Sequence, residues 1–448
     1  MRKSALSKTC DELVRAALKA GAIEAEAYAE RTRDSSVRVR DGELEELRQA
    51  ASKGVGLRVI SGKRLGFAYG TDFSKAGLKE LASKAVALAK GTAKDESNAL
   101  PKGSLLGAGD DGEYDPAIED ISPAWKLNAA REAEKGARAE DPRIRKFDST
   151  AAGDYLSESA IASSRGASGE SRASYVYVHC SPVAEENGQL QVGRWGGMRR
   201  TLSKLEAPEE IGRVAARKAA RMLGARKAKT QKVPVIFDPQ MSAAFIGGLA
   251  EAINGLLVHR KSSFLGPLLG KKIAPANVTL VDDATLAAGI ATRAFDGEGI
   301  ASQRTEIIGQ GVLKSFLYDH GTALKAGARS TGSASRAWAS LPSIGTSNLY
   351  LEKGDQSLEQ LIAGVKQGFF VTSMLGLGAN AVTGDYSRGA NGIWIENGEL
   401  TWPVQEVTVA GSLLQMLKDI DGVGNDLDFR SSVSAPSLRF SELQVSGA

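Results

Sequence analysis

An α+β fold is what the sequence predicts, with an N-terminal sandwich of helices on an antiparallel sheet followed by a larger, mostly antiparallel β C-terminal domain. Short alternating runs separated by hairpin signals fill residues 24–69. Helical periodicity flanks them on both sides, and from Lys232 onward β-type runs dominate. The chain has 448 residues, enough for two or three cores at roughly 150 residues each. Its 50 glycines, about 11% against a roughly 7% average, fit a chain with many turns and strand ends.

The first helix is read around Leu13, Val14, Ala17 and Leu18, entered through the capping-box spacing of Thr9 to Glu12 and left at Gly21. Glu24–Arg31, Ser36–Arg40, Gly54–Ile60 and Leu65–Tyr69 follow as a meander, with turns at Asp41-Gly42 and at Ser61 to Arg64. Leu78–Ala89 returns to helix, and the Gly- and Asp-rich Gly91–Tyr114 reads as a linker, which bounds a first domain at 1–110. A central α+β region, 111–224, carries helices over Trp125–Ala139 and Ala207–Ala225, with strands such as Ser159–Ala162 and Ala173–Cys180 between them. The third region, 225–448, opens with the strand Val233–Phe237 and a helix from Gln240 to Leu257, for which Asp238-Pro239 supplies the N-cap and a first-turn proline. Strands are expected at Val278–Asp282, Thr305–Ile308, Val312–Tyr318, Asn348–Glu352, Gly368–Val371, Gly392–Glu396 and Leu400–Val404, the last two joined by Asn397-Gly398. Val407–Ile420 reads as a helix and Asp421–Asp428 as a loop.

Composition excludes several function classes. Lys+Arg 57 against Asp+Glu 53 leaves a net charge of +4, far short of the dense positive surface that a phosphate backbone demands, so direct nucleic-acid binding is not expected. Cys10 and Cys180 are the only cysteines, which rules out a disulfide framework and a four-cysteine zinc site and fits a reducing, cytoplasmic location. His179, His259 and His320 lie far apart, so no pair has the spacing that grips zinc on one helix face. Asp11, Glu12 and Arg15 interrupt the N-terminal segment before it reaches signal-peptide length, and the longest uncharged stretch, Gln367–Gly384, is too polar to cross a bilayer. No membrane segment is expected.

Two phosphate-loop-like glycine patterns occur, Gly107 to Gly112 and Gly376 to Ala381, and both read as turns: the first holds Asp110 and Asp111 where an anion would sit, and no helix follows the second. No G-x-S-x-G elbow is present. Ser387, within Gly384 to Gly389, is the serine most crowded by polar groups, and that run reads as a turn lining a cleft or partner surface. His259 reads as a solvated residue facing a helix C-terminus. Met241, Phe245, Leu249, Ala252, Ile253 and Leu256 form the apolar stripe of a helix on a sheet, and Glu251 falls outside it as a surface glutamate.

Three blocks together resemble the TldE/PmbA branch of the TldD/TldE family. They are Glu24 to Tyr28 with Asp41 to Glu45 and Gly54 to Val59; Arg260 to Gly266 with Val281-Asp282-Asp283; and Asn380 to Ala390, continuing through Trp394 to Glu399 and Pro403 to Gly411. The resemblance covers nearly the whole chain. It implies a two-subunit cytoplasmic zinc protease that degrades unfolded or linear peptides, in a family whose older name is modulator of DNA gyrase. In the TldD-like sister, a helix carries H-E-x-x-x-H, and a distant cysteine completes the zinc site; the metal makes bound water nucleophilic, and the glutamate takes its proton. Laid on this chain, that motif falls at Ala250-Glu251-Ala252-Ile253-Asn254-Gly255, so both histidines are missing, the glutamate remains, and no cysteine follows Cys180.

The resemblance therefore implies a subunit without catalytic residues or cofactor of its own, with zinc in the sister chain. Its expected contribution is a surface that guides extended peptides, at Asp385, Tyr386, Ser387 and Arg388. Two alternatives stay open: a self-sufficient metallopeptidase, as a homodimer with a metal site built from scattered side chains, and a non-enzymatic regulator of a partner such as gyrase.

Overall fold

The computed structural model describes residues 3–103, 114–376 and 378–447. Helix α1 spans Ala5–Lys19, with the Ser4 side chain accepting from the Ser7 N–H. The expected start at Thr9 is corrected, because Ser4 provides the cap more than a turn earlier and Thr9 donates its hydroxyl to the Ala5 carbonyl inside the helix. Strands β1 (Glu24–Arg40), β2 (Glu43–Ser61) and β3 (Arg64–Gly70) form the meander, and α2 (Lys75–Gly91) follows. Glu24–Arg31 and Ser36–Arg40 prove to be one strand, because the polar residues between them stay in register with β2.

After α3 (Pro116–Glu119) and α4 (Pro123–Glu140) come β4 (Ile144–Ser163), β5 (Ser168–Glu186), β6 (Gln189–Val192), β7 (Trp195–Arg199) and α5 (Pro208–Ala220). Strand β4 pairs with β1 from Glu26 against Ser163 to Val39 against Thr150. The sheet order is therefore β3-β2-β1-β4-β5-β6, with β7 also on β5, and one sheet serves residues on both sides of position 110. Helices α1 and α2 bury Leu13, Ala17, Leu81 and Ala85 against Ala27, Val55, Leu57 and Ala160. Helices α4 and α5 pack on the same face through Ala133, Ile211 and Ala215 over Ala152 and Val178. The Gly107–Gly112 pattern and the boundary near 110 lie outside the described residues.

The remaining chain supplies β8 (Gln231–Phe237), α6 (Pro239–Gly247), α7 (Gly255–His259), β9 (Leu280–Asp283), β10 (Arg304–Gly309), β11 (Val312–Leu313) and α8 (His320–Ala326). It continues with β12 (Ala334–Ser335), β13 (Ser343–Ile344), β14 (Leu349–Leu351), α9 (Leu358–Ala363), β15 (Gln367–Leu375), β16 (Asp385–Glu396) and β17 (Glu399–Ser412). Last come α10 (Leu413–Lys418), β18 (Ile420–Val423), β19 (Val433–Ser434) and β20 (Leu438–Ser446). The main sheet runs β17-β16-β15-β8-β20-β18, and β17 also pairs with β20, so five of its strands close a ring. Phe237, Phe245, Phe369, Trp394 and Phe440 fill the core beside it. Pairing is mostly antiparallel; β15 with β8 and β14 with β19 are parallel.

Four expectations in this region need correction. The helix read over Gln240–Leu257 breaks at Gly247-Gly248, where two glycines weaken the turn, and Asn254 caps a separate short helix by accepting from the Leu256 N–H at 2.9 Å. Val407–Ser412 is strand, because Val407 and Val409 alternate inward while the stretch pairs with β16; only Leu413–Lys418 is helical. The run Val312–Tyr318 is strand only to Leu313, beyond which the Lys314 N–H turns back to the Ile307 carbonyl. Finally, Asp421–Asp428 begins inside β18, held by β20.

The helix-free face of the N-terminal sheet receives the C-terminal region. Arg58 on β2 donates to Glu26 on β1 at 2.9 Å and to Glu298 at 2.8 Å, and Arg336 also donates to Glu26. Trp338 lies flat on Gly54, where any Cβ would fall 2.2 Å from its ring. None of the described helices is long and apolar enough to cross a membrane.

Candidate functional site

The segment on which the resemblance lays the sister's metal motif, residues 250–255, occupies the turns after α6 and the first residue of α7. Ala250 is half-buried, Glu251 is exposed, and Ala252 and Ile253 point into the core. Gly255 is buried, and its N–H donates to the Leu317 carbonyl at 2.9 Å. A Cβ on Gly255 would lie 2.4 Å from the Tyr318 ring and 2.7 Å from the Leu317 carbonyl, so no larger side chain fits there without movement. Neither Ala250 nor Gly255 carries a donor atom, and among the described residues no group of three or more His, Cys, Asp or Glu is placed to hold a metal ion. The residues present at this position do not fit a zinc ion.

The β15–β16 loop abuts that turn. Gly248 faces Ala379, and the Phe264 N–H donates to the Ala381 carbonyl at 3.0 Å. The loop is pinned by Asn380, whose side-chain oxygen accepts from the N–H groups of Val382 and Thr383 at 2.9 and 3.2 Å. Gly384, at φ +79°, lies over the Phe264 ring, where a side chain would be both strained and crowded. Ala379 bridges Tyr386, so the chain after Gly376 returns to the sheet instead of opening a helix.

Strand alternation splits the four expected cleft residues. Asp385 and Ser387 are exposed, and Asp385 accepts from the Thr383 hydroxyl at 2.6 Å. Tyr386 points inward at 3% exposure, donates to the Met374 sulfur at 3.1 Å and meets Phe245 edge-on. Burial pushes its phenol up to about 12, partly offset by the Arg388 guanidinium. Arg388 is half-buried, its stem packs over Gly378, and its Nε has no partner among the described residues. Asp385 and Ser387 thus lie on the exposed face of β16, opposite the face on which Tyr386, a core residue, meets Phe245 of α6, and Arg388 shares the parity of Tyr386.

Sequence reading did not find a second concavity, of about 410 Å³, between β7, the start of α6 and residues 426–435. Trp195 stands at its edge between two cations, Arg430 at 4.2 Å and Lys218 at 4.8 Å from its ring. Lys218 also reaches Asp238 at 3.2 Å, and burial raises the Asp238 carboxyl against that attraction. Asp238 was visible in the sequence only as a helix cap, since the cavity's far wall, Asp426 to Ala435, lies roughly 190 residues further along the chain.

Family models match the chain in three consecutive pieces: the PmbA/TldA metallopeptidase domain 1 over residues 25–89, the central domain over 116–223 and the C-terminal domain over 230–447. The chain belongs to the PmbA/TldD metallopeptidase family. Metalloprotease PmbA of Escherichia coli O157:H7 is 33% identical over 426 residues, covering 94% of this chain and 92% of that protein. A PmbA homolog of Haemophilus influenzae is 32% identical, covering 97% and 94%. A TldD homolog from the same organism is 24% identical over 94% of this chain and 92% of its own length, so both PmbA/TldD branches are represented among its relatives. A solved Bacteroides thetaiotaomicron structure, named for modulation of DNA gyrase, matches at a TM-score of 0.90 and 29% identity over all of both chains. TldE of Thermococcus kodakarensis shares the fold at a TM-score of 0.90 and 24% identity, over 98% of this chain and all of that one.

Proposed function

We propose that this PmbA/TldD-family chain is the metal-free subunit of a heteromeric metalloprotease, working beside a TldD-like sister that holds zinc and cleaves unfolded or linear peptides. The observation that carries the reading is Gly255: the position of the sister's second histidine is filled by the Tyr318 ring, and the retained Glu251 projects into solvent. A carboxylate there has no metal-bound water to deprotonate, so Glu251 is not a general base. The exposed residues Asp385 and Ser387, with Arg388 beside them, contribute polar groups to the wall that holds an extended peptide.

The test mixes this chain with its cognate TldD-like protein. The mixture is expected to co-elute and to cleave an unstructured peptide that neither chain cleaves alone, with chelator abolishing the activity. Glu251→Gln should leave the rate of the pair within a few-fold, and Arg388→Ala should lower it while the chains still co-elute. Separate elution with no gain over the sister alone rejects the reading. Stoichiometric zinc on this chain by itself, resisting buffer exchange, would favour a self-sufficient peptidase.

A further inference from the structure

Between its two helix pairs the N-terminal sheet is left bare. Helices α1 and α2 cover Ala27 and Ala29 toward one end of β1, and α4 covers Val37 and Val39 toward the other. By strand alternation Arg31, Arg33 and Ser35 lie on that same face in the interval. A cavity of about 280 Å³ opens there, walled by Arg33, Ser35, Gln49 and Lys126 together with the apolar Ala51 and Ile121. The charges around it do not balance. Lys126, the fourth residue of α4, is 1% exposed and pairs with the wholly buried Asp154. A cation buried near the positive end of a helix is costly on both counts, and its counter-charge is shared, because Arg33 also reaches Asp154 at 3.4 Å. Arg33 donates to the Glu119 carbonyl at 2.9 Å, while its buried Nε has no hydrogen-bond partner among the described residues. At the margin Arg31 stands directly across the ladder from Lys53, a like-charge pair that costs stability unless an anion lies between them. Lys53 rests on the Phe73 ring at 4.1 Å, and the acid across from Arg31 on β4, Glu158, turns to Arg172 at 3.3 Å instead. Four cations, two in the cavity wall and two at its margin, thus share the single carboxylate of Asp154.

We propose that this cavity binds a phosphate group, either carried on a small organic body as a monoester or free as inorganic phosphate. The surplus of cations repels a metal ion, and a carboxylate brings one charge where phosphate brings close to two. The donors suit several acceptor oxygens converging from one ligand: the Arg33 guanidinium, the Lys126 ammonium, the Gln49 amide and the Ser35 hydroxyl. Ser35 accepts from Lys126 at 2.7 Å, which leaves its own proton to donate. The volume stands near the lower end of the range for small-molecule sites, about 300–1,000 Å³, and Ala51 and Ile121 offer a wall for a short carbon body. A nucleic-acid strand is the wrong shape, because the basic groups converge on one hollow instead of tracking a long backbone. This inference goes beyond the peptidase reading and does not depend on it.

Isothermal titration calorimetry of the full chain in a low-salt chloride buffer, with inorganic phosphate and glycerol 1-phosphate as probes, is expected to show one saturable site with a Kd on the order of 1 mM or tighter. Acetate should bind about tenfold more weakly or worse. Arg33→Gln changes a side chain that is 42% exposed, so the fold should tolerate it, and phosphate binding should weaken by about tenfold or more. Arg31→Gln with Lys53→Gln, both on the exposed margin, should weaken it by about threefold or more. Arg48→Gln, which lies opposite Ser36 on the other face of the sheet, should leave it within about twofold and so separates the cavity from general attraction to a basic surface. Tighter binding of the monoester assigns a carried phosphate and tighter binding of the inorganic ion a free one; both uphold the site. The proposal is overturned if neither probe saturates by about 20 mM, if a folded Arg33→Gln chain binds as the wild type does, or if Arg48→Gln weakens binding equally.

Discussion

Arg58 donates from Nη1 to Glu298 Oε1 across 2.8 Å, linking strand β2 of the N-terminal sheet to a loop of the C-terminal region with both side chains almost wholly buried. Two guanidiniums, Arg58 and Arg336, and two carboxylates, Glu26 and Glu298, alternate in this cluster, so its formal charges cancel. The Glu298 carboxylate also accepts from the His320 N–H at 2.7 Å, which ties helix α8 to the same point.

Glu298→Ala is expected to destabilise the fold by about 3–5 kcal/mol, because it leaves two buried guanidiniums, Arg58 and Arg336, sharing the single Glu26 carboxylate. Chemical denaturation monitored at the tryptophans measures it. A loss below about 1 kcal/mol, the scale of a surface pair, would mean that Arg58 finds other solvation.

Asp282 accepts from the Ser347 N–H at 2.7 Å and its hydroxyl at 2.9 Å, yet burial raises its carboxyl to about 6. A carboxyl raised in the folded state binds its proton more tightly there than in the unfolded chain. Its contribution is therefore fully present below the ordinary pKa of 3.8 and is lost as pH rises through about 6. The wild type should gain stability relative to Asp282→Asn as pH falls from about 7 to 4, and denaturation at several pH values checks the sign. An unchanged difference across that interval contradicts the raised value.

Ala250→His with Gly255→His places histidines at the two positions where the resemblance expects those of the sister's motif. The pair is expected not to create a tight zinc site, because the second imidazole collides with Tyr318. Overpacking of this kind costs about 1–3 kcal/mol. Metal analysis after buffer exchange, read beside the melting temperature, tests both parts; one tightly held zinc per chain with no loss of stability would show that the turn accommodates the side chain.

Tyr386→Ala should cost about 3–5 kcal/mol, as expected for an aromatic removed from a core, whereas Ser387→Ala should change stability by less than about 0.5 kcal/mol. The contrast separates two adjacent residues that the sequence placed on one surface. Equal effects in thermal melts would contradict the alternation of β16.

The β1–β2 and β16–β17 hairpins were legible because their turns announce themselves: Asp41 at φ 54° and Asn397 at φ 52° take the left-handed conformations that Asp-Gly and Asn-Gly favour. The family was legible from contiguous motifs, above all Asn380 to Ala390. Less was visible where tertiary pairing overrides local pattern. Val407–Ser412 carries a helix-compatible spacing but lies between β16 and β20, so ladder bonding decides it. The break at Gly247-Gly248 was hidden by an apolar stripe that continues through it, because Leu249, Ala252 and Ile253 remain buried in a turn as they would in a helix. Tyr386 was misplaced for a different reason: neighbours in sequence on a strand face opposite ways, and polar company hid the parity.

The closure of the C-terminal ring has a consequence for biosynthesis. Strand β8 needs β15 on one edge and β20 on the other, and neither partner leaves the ribosome until well over a hundred residues after it. Until Leu438–Ser446 emerge, the nascent chain carries β8 with an unsatisfied edge and the aromatic residues beside it lack their lid, Phe440. The ring can therefore close only after Leu438–Ser446 has been made, whereas every strand of the N-terminal sheet is present once Arg199 has been made.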